Sequence, residues 1–278
     1  MARPIVTFTS DFGYEDWFVG VVRGVLHGIA PESQVVDLVH TITPGHVAHG
    51  AFVLEAAAPD FPAGTVHLAV VDPGVGTSRR ALAVQAHDQF FVGPDNGLLE
   101  WAIAAPGARV HALTETRWFR SPVSRTFHGR DVFAPVAAHL ACGIALSEFG
   151  ARVSDPVRFE HPAPSREAGG LTGHILFIDR FGNALTDLTE AALRAEFGDS
   201  FDGFSLEVRT HDRRVHGLSR SYGDAPVGTI VAILGSSGRL EIAQVGGDAA
   251  ARLGLGEGDA VRIGRHPLHD IDAPPMRD

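Results

Sequence analysis

The first half of the chain alternates short apolar runs of strand character with runs of helical spacing. That alternation constrains the fold more than any other feature. PIVTFTSD (4–11) reads as a strand ending in a carboxylate, and DWFVGVVRGVLHGIAP carries apolar residues at helical spacing and stops at Pro31. QVVDLVH reads as a second strand, HVAHGAFVLEAAAP as a helix ending before Pro59, and TVHLAVVDP as a third strand. ALAVQAHDQFFVG follows as a hairpin and NGLLEWAIAAP as a further helix. A βαβαβ rhythm needs crossover connections, so it predicts a mostly parallel sheet covered by helices.

The character changes over 154–170, where DPVRFEHPAPSREAGG reads as a proline-rich polar linker. Beyond it lie short strand-like runs: LTGHILFID, NALTDL, FSLEVRT, RRVHGLS, GTIVAILG, RLEIAQV and DAVRIG. Helical spacing is brief there, near 188–197 and 248–253, and the tail from His266 reads as irregular. The expected class is therefore α/β: an N-terminal mostly parallel sheet flanked by helices over residues 1–160, and a smaller C-terminal β-barrel-like domain over 161–278.

Composition narrows the chemistry. The net charge of −10 argues against a nucleic-acid partner. All 23 basic residues are arginine, which excludes a Schiff-base or P-loop lysine. Cys142 is the single cysteine and reads as a packed thiol, not half of a disulfide. No apolar stretch reaches the ~18 residues of a membrane span and no signal peptide precedes Pro4, so a cytoplasmic location is expected.

The segment VVDPGVGTSRR (70–80) runs a buried strand into Asp72, at the carboxyl edge where open α/β sheets bind ligands. Gly74 and Gly76 let the backbone turn so that Arg79 folds back towards Asp72. Three other polar clusters sit at element ends: Ser10–Asp11–Phe12–Gly13 with Asp16 beyond it, Pro94–Asp95–Asn96–Gly97, and the run from Thr126 through His128, Gly129 and Arg130 to Asp131. Asp95, Asn96 and Asp131 read first as helix caps or turn formers. The pair His46 and His49 lacks the glutamate of a zincin motif, and no metal site is expected. GVG lacks the third glycine of a dinucleotide fingerprint, so a nicotinamide site is disfavoured. In the second half, IDRFGNALTD and GSSGRLEIA read as strand turns in which Asp179, Asn183, Ser236 and Glu241 offer donors and acceptors to a polar ligand.

Seven motifs in order (TSDFG, VVDLVH, VVDPGVGTSRR, VGPDNGLL, TFHGRDVFAP, IDRFGN and LGSSGRLEIA) resemble the S-adenosylmethionine (SAM) hydroxide adenosyltransferase family, relatives of the fluorinase and chlorinase. The resemblance covers nearly the whole chain. It implies hydrolysis of S-adenosyl-L-methionine to adenosine and L-methionine without a cofactor, with water activated by Asp72, Arg79 and His128. The halogenating relatives carry tyrosine at the positions of Asp72 and His128, and the fluorinase has serine at Gly129. The polar set here therefore favours hydrolysis over halide transfer.

By the same resemblance Asp11 holds the ribose hydroxyls, and Asn183 serves adenine or the methionine end. Ser236, Glu241 and the backbone of Val245 complete the pocket, Phe181 and Tyr222 offer stacking surface, and Asp16 and Asp179 are additional contacts. Asp187 departs from the asparagine expected after the FGN motif. The resemblance further implies a homotrimer, with each site between one subunit's first domain and its neighbour's second. Two other readings stand beside the hydrolase: a halide-dependent adenosyl transferase, and a protein that binds SAM or adenosine without turnover.

Overall fold

The computed structural model describes residues 3–159, 164–167 and 169–266. It divides into two compact units, residues 1–160 and residues 161–278.

The first unit is built on a six-stranded sheet in which β1 (Ile5–Ser10), β2 (Gln34–Val39) and β3 (Val66–Val70) lead into the hairpin β4 (Ala81–Ala86) and β5 (Gln89–Pro94), with β6 (Arg109–Ala112) at the edge. The order is β2-β1-β3-β5-β4-β6. The pairs β1–β2, β1–β3 and β3–β5 are parallel, while β4 is antiparallel to both neighbours. The sheet is thus parallel-rich, and the hairpin read from the sequence supplies its antiparallel part. The helices are α1 (Phe18–Ile29), α2 (Val47–Ala57), α3 (Glu100–Ile103) and α4 (Ala134–Ala141). The run NGLLEWAIAAP thus forms only a short helix, because the residues before Glu100 turn to hold the loop described below.

Strand periodicity splits the core into two layers. Val66, Leu68 and Val70 of β3 join α1 and α4 on one face, where Val22 and Leu26 meet Phe133, Ala134, Ala137 and Ala138. Ala69 and the following Val71 join Leu54 of α2 and Ala102 of α3 on the other. Every residue of β3 is buried, as a central parallel strand covered on both faces requires. Each such Val or Leu contributes about 1.5–3 kcal/mol by leaving water.

Strand order also fixes where a ligand fits. β1 passes to β2 on one side, and the chain then crosses to β3 on the other, so the direction of winding reverses between β1 and β3. The loops after these two strands, which carry Asp11 and Asp72, flank that switch point.

The linker expected over 154–170 is ordered at both described ends. Val157 donates from its backbone to Asp95 Oδ1 (2.7 Å), and Arg158 pairs with Glu100. Ser165–Glu167 forms a strand, β7, on the next strand of the second unit. The tail from Pro267 lies outside the described residues.

The second unit is a nearly closed, barrel-like sheet. Its strands are β7, β8 (Gly170–Ile178), β9 (Ala184–Thr189), β10 (Leu206–Thr210), β11 (Arg213–His216), β12 (Leu218–Ser219), β13 (Ile230–Leu234), β14 (Arg239–Gln244) and β15 (Ala260–Arg265). The path β11-β10-β15-β8-β9-β14-β13-β12 bends at β8, whose first half pairs with β15 and second half with β9 across a bulge. Two short helices, α5 (Glu190–Phe197) and α6 (Ala249–Leu253), are capped by the side chains of Thr189 and Asp248. Gly217, at φ +75°, breaks the expected RRVHGLS strand into β11 and β12.

One buried histidine makes the first unit acid-sensitive. His67 on β3 is fully buried, bonded through Nδ1 to Thr7 Oγ1 (2.8 Å) and stacked on Phe91. Burial lowers its pKa from 6.5 to about 4. Above pH 6.5 the ring is neutral folded or unfolded, and its contribution is complete. As pH falls from there the unfolded chain binds the proton first, so stability is lost, by about 3 kcal/mol in all. Denaturant unfolding at a series of pH values should show His67→Phe losing about 3 kcal/mol less than the wild type between pH 6.5 and 4. Equal losses would contradict this account.

Candidate active site

The carboxyl edge of β1 and β3 opens into a cavity of about 540 Å³ lined by Asp11, Asp72, His128 and Gly129 among others, within the usual ~300–1,000 Å³ range for small-ligand sites. Phe12, Phe18 and Phe127 form an aromatic wall with ring centroids 5.2–5.9 Å apart. A Cβ added at Gly129 would reach Phe12 Cζ at 3.3 Å and Val70 Cγ1 at 3.5 Å, so only glycine leaves this wall undisturbed.

Arg79 organises the polar side. Its Nε donates to Asp72 Oδ1 at 2.8 Å and its Nη2 donates to Asp72 Oδ2, a bidentate pair with little exposure. Nη2 also reaches His128 Nδ1 at 2.9 Å. A guanidinium has only donors, so Nδ1 must accept, and the neutral imidazole carries its proton on Nε2. Burial, then the neighbouring Arg79 charge, lowers the His128 pKa and keeps the ring neutral near pH 7. The guanidinium lies over the buried Phe133 ring, 5.1 Å from its centroid, which removes water from its other face.

Local structure holds each member. After Asp72 the chain reverses through Val75 N–H to Asp72 O (3.2 Å) and Thr77 N–H to Gly74 O (3.2 Å). Gly76 has φ +77°, and a Cβ there would lie 2.3 Å from Arg125 O, so the turn demands glycine. His128 precedes a single π-helical turn, Gly129–Phe133, that leads into α4. Asp131, almost fully buried in that turn, accepts from Arg130 and from Ser124 N–H (2.9 Å). Burial alone would raise its pKa, but these donors bring it below the ordinary value.

Asp11 accepts from Gly45 N–H at 2.8 Å. Burial raises its pKa, and the Asp72 charge adds to this against that hydrogen bond. Its loop is tied down by Gly13 N–H to His40 O (2.7 Å) and by Ser10 Oγ to the buried His40 Nδ1 (2.7 Å).

Asp95 and Asn96, read as helix caps or turn formers, bind across the loop, and α3 has no side-chain cap. Asn96 Nδ2 donates to Val71 O (2.9 Å) while its Oδ1 accepts from Leu98 N–H (3.1 Å), which anchors the residue before Asp72. Asp95 takes Arg80 Nε (2.6 Å), and Arg80 also holds Asp155, so the residue after Arg79 is fixed as well. The sequence shows the residue types but not these partners, which meet only through the fold. Asp16 is exposed and does not line the cavity.

In the second unit, Asp179 Oδ1 accepts from the backbones of Phe181 (2.8 Å) and Asn183 (2.9 Å), and Asn183 Nδ2 donates to Oδ2 (2.9 Å). Phe181 is strongly exposed. Tyr222 Oη donates to Glu241 Oε2 at 2.8 Å. Burial first, then that bond and charge, push the phenol up to about 12. Burial raises the Glu241 pKa, and the Asp179 charge adds to it. Ser236 is exposed on the turn between β13 and β14. Both backbone groups of Val245 are bonded, its N–H to Thr229 O and its carbonyl from Gly228 N–H. Asp187 is buried and accepts from His174 N–H (2.8 Å), a tie between β8 and β9.

A three-layer α/β unit with a guanidinium-locked carboxylate and imidazole at its switch point, followed by a β-barrel-like unit, defines a narrow class. The model of the SAM hydroxide adenosyltransferase N-terminal domain matches residues 6–150, and that of the C-terminal domain matches residues 173–262. The chain belongs to this family. It is 43% identical to an (R)-S-adenosyl-L-methionine hydrolase of Salinispora tropica, over 94% of this chain and 97% of that one. It is 45% identical to one of Thermus thermophilus, over 94% and 99%. A fluorinase of Nocardia brasiliensis is 30% identical, over 94% and 97%. A crystal structure of an uncharacterized conserved protein from Thermotoga maritima superposes with a TM-score of 0.88 at 34% identity, covering 94% of this chain and all of that one.

Asn96→Ala should free the Val71 carbonyl and release Asp72 from its seat. Urea unfolding should show a loss of about 1–3 kcal/mol, together with reduced turnover. Unchanged stability and turnover would remove Asn96 from its positioning role.

Proposed function

We propose that the protein hydrolyses S-adenosyl-L-methionine to adenosine and L-methionine by attack of water on C5′. The observation that carries this reading is the Asp72–Arg79–His128 arrangement beside the cavity, in a chain of this family. The C5′–S bond breaks with its electron pair going to sulfur, which leaves as a neutral thioether. Water supplies the new C5′–O bond and one proton is released. The sulfonium is already an excellent leaving group, so the task is to make water, whose pKa is ~15.7, into a nucleophile.

Arg79 occupies His128 Nδ1, which leaves the Nε2 proton to donate to the water oxygen and aim its remaining lone pair. His128 in this tautomer is a donor and not the base. Asp72 is the acceptor of the set, and each of its oxygens keeps a lone pair free beside the bond from Arg79. The carboxylate receives the water proton as the C–O bond forms, and the fixed Arg79 charge stabilises the hydroxide-like oxygen. A carboxylate facing the nucleophile position also repels chloride and fluoride, which disfavours halide transfer.

Asp11 binds the ribose hydroxyls, a role that suits a carboxylate held by one backbone N–H with lone pairs to spare. In the second unit, Asn183 serves adenine or the methionine end, with Ser236, Glu241 and the Val245 backbone as further contacts and Phe181 and Tyr222 as stacking surface. The assembly is a homotrimer with its sites at subunit interfaces. The exposed Tyr14 and Trp17, the latter packed on the cavity residue Phe18, give such association an apolar surface to cover. The protein acts in the cytoplasm on a small molecule and engages neither nucleic acid nor membrane. Among the described residues no helix is long and apolar enough to cross a membrane.

Incubation with S-adenosyl-L-methionine, with and without chloride, should give adenosine and methionine in equal amounts whatever the halide. Asp72→Asn, Arg79→Ala and His128→Ala should each lose about 10²–10⁴-fold in turnover while still binding substrate. Halo-adenosine would convert the reading to a halogenase, and tight binding without product to a sensor.

A further inference from the structure

The edge of the second unit holds a cluster that the proposed reaction does not use. Glu207 on β10 stands directly across from His216 on β11 in the antiparallel register, and on its other side β10 pairs with β15, which ends just before His266. His266 N–H donates to Ser205 O (2.8 Å), which fixes the chain there. The register thus brings one carboxylate and two imidazoles together, with their ligand atoms within 4.8 Å of one another.

The distances suit a cation. Glu207 Oε2 lies 3.3 Å from His216 Nδ1 and 3.9 Å from His266 Nε2. Metal–ligand bonds of about 2.0–2.1 Å at tetrahedral angles place donor atoms about 3.3 Å apart. Glu207 is 2% exposed, yet its Oε2 has no hydrogen-bond partner. Buried carboxylate oxygens are rarely left so, and this one faces both rings. Its other oxygen accepts from Arg209 Nε, which holds the carboxylate in one orientation, as an outer-shell partner does in metal sites.

We propose that Glu207, His216 and His266 form a site for a divalent transition-metal ion of the zinc type, with Glu207 binding through Oε2 alone. Two imidazoles and one carboxylate select this class over calcium or magnesium, which take oxygen ligands. His216 is well exposed, so the fourth position opens to solvent. The ion ties β10, β11 and the end of β15 together. The Arg209 charge beside the carboxylate makes it an exchangeable ion rather than a trapped one.

Calorimetric titration of chelator-treated full-length protein with zinc chloride tests the proposal. The wild type should bind one zinc per chain at this site. His216→Ala, on the exposed strand where folding is not at stake, should weaken that binding more than about tenfold, since even outer-shell losses cost 10–100-fold. Glu207→Gln should do the same, and His49→Ala, which alters the His46–His49 ring pair of the first unit, should leave it intact. No zinc uptake by the wild type, or uptake by His216→Ala as tight as the wild type's, would overturn the assignment.

Discussion

The first unit's site depends on one guanidinium. Arg79 presents a planar fork, and the protein uses adjacent edges of it for different partners: Nε and Nη2 for the two oxygens of Asp72, and Nη2 again for His128 Nδ1. Because the fork is rigid, fixing Arg79 fixes the angle between carboxylate and imidazole. Lysine, with a single rotatable ammonium, could not impose that angle. Burial first, and then this permanent charge, keep His128 neutral, since a second proton would sit on the nitrogen facing a cation.

Much of the surrounding structure exists to keep that fork still. Phe133 covers one face of it. The turn from Asp72 to Arg79 closes on itself through Gly74 and Thr77, and Asn96 and Arg80 clamp the residues just outside it. These clamps reach to Asp155, so a segment near the end of the first unit contributes to the geometry of a loop far earlier in the chain. Effective molarities of well-oriented groups reach ~10⁵–10⁸ M, and such a scaffold supplies the orientation that the proposed attack of water requires.

The sequence made visible those parts of the fold that local pattern dictates. The alternation of apolar strands and helices, Asp11 and Asp72 at strand ends, and the hairpin of β4 and β5 all follow from periodicity and turn chemistry. The short span of α3 was hidden because Asn96 and Gly97 obey a tertiary demand, the anchoring of Val71, which no local signal carries. The two compact units divide between 160 and 161, inside the linker read over 154–170. Val157 and Arg158 in that segment find partners in Asp95 and Glu100, far earlier in the chain, and no local signal carries these contacts. For the site, residue types and motif order pointed to Asp72, Arg79 and His128. What could not be read was direction: which imidazole nitrogen meets the guanidinium is a property of the π-helical turn, not of the letters around it.

That direction decides what His128 does. In the proposed reaction, with Nδ1 facing Arg79, the ring holds water as a donor and leaves the proton to the carboxylate. Nitrogen-15 NMR of the histidine rings at neutral pH, with His128 assigned through His128→Gln, reads the tautomer directly. The account predicts a neutral His128 with its proton on Nε2 and an acceptor-type Nδ1. A proton on Nδ1, or a fully charged imidazolium at neutral pH, would contradict it.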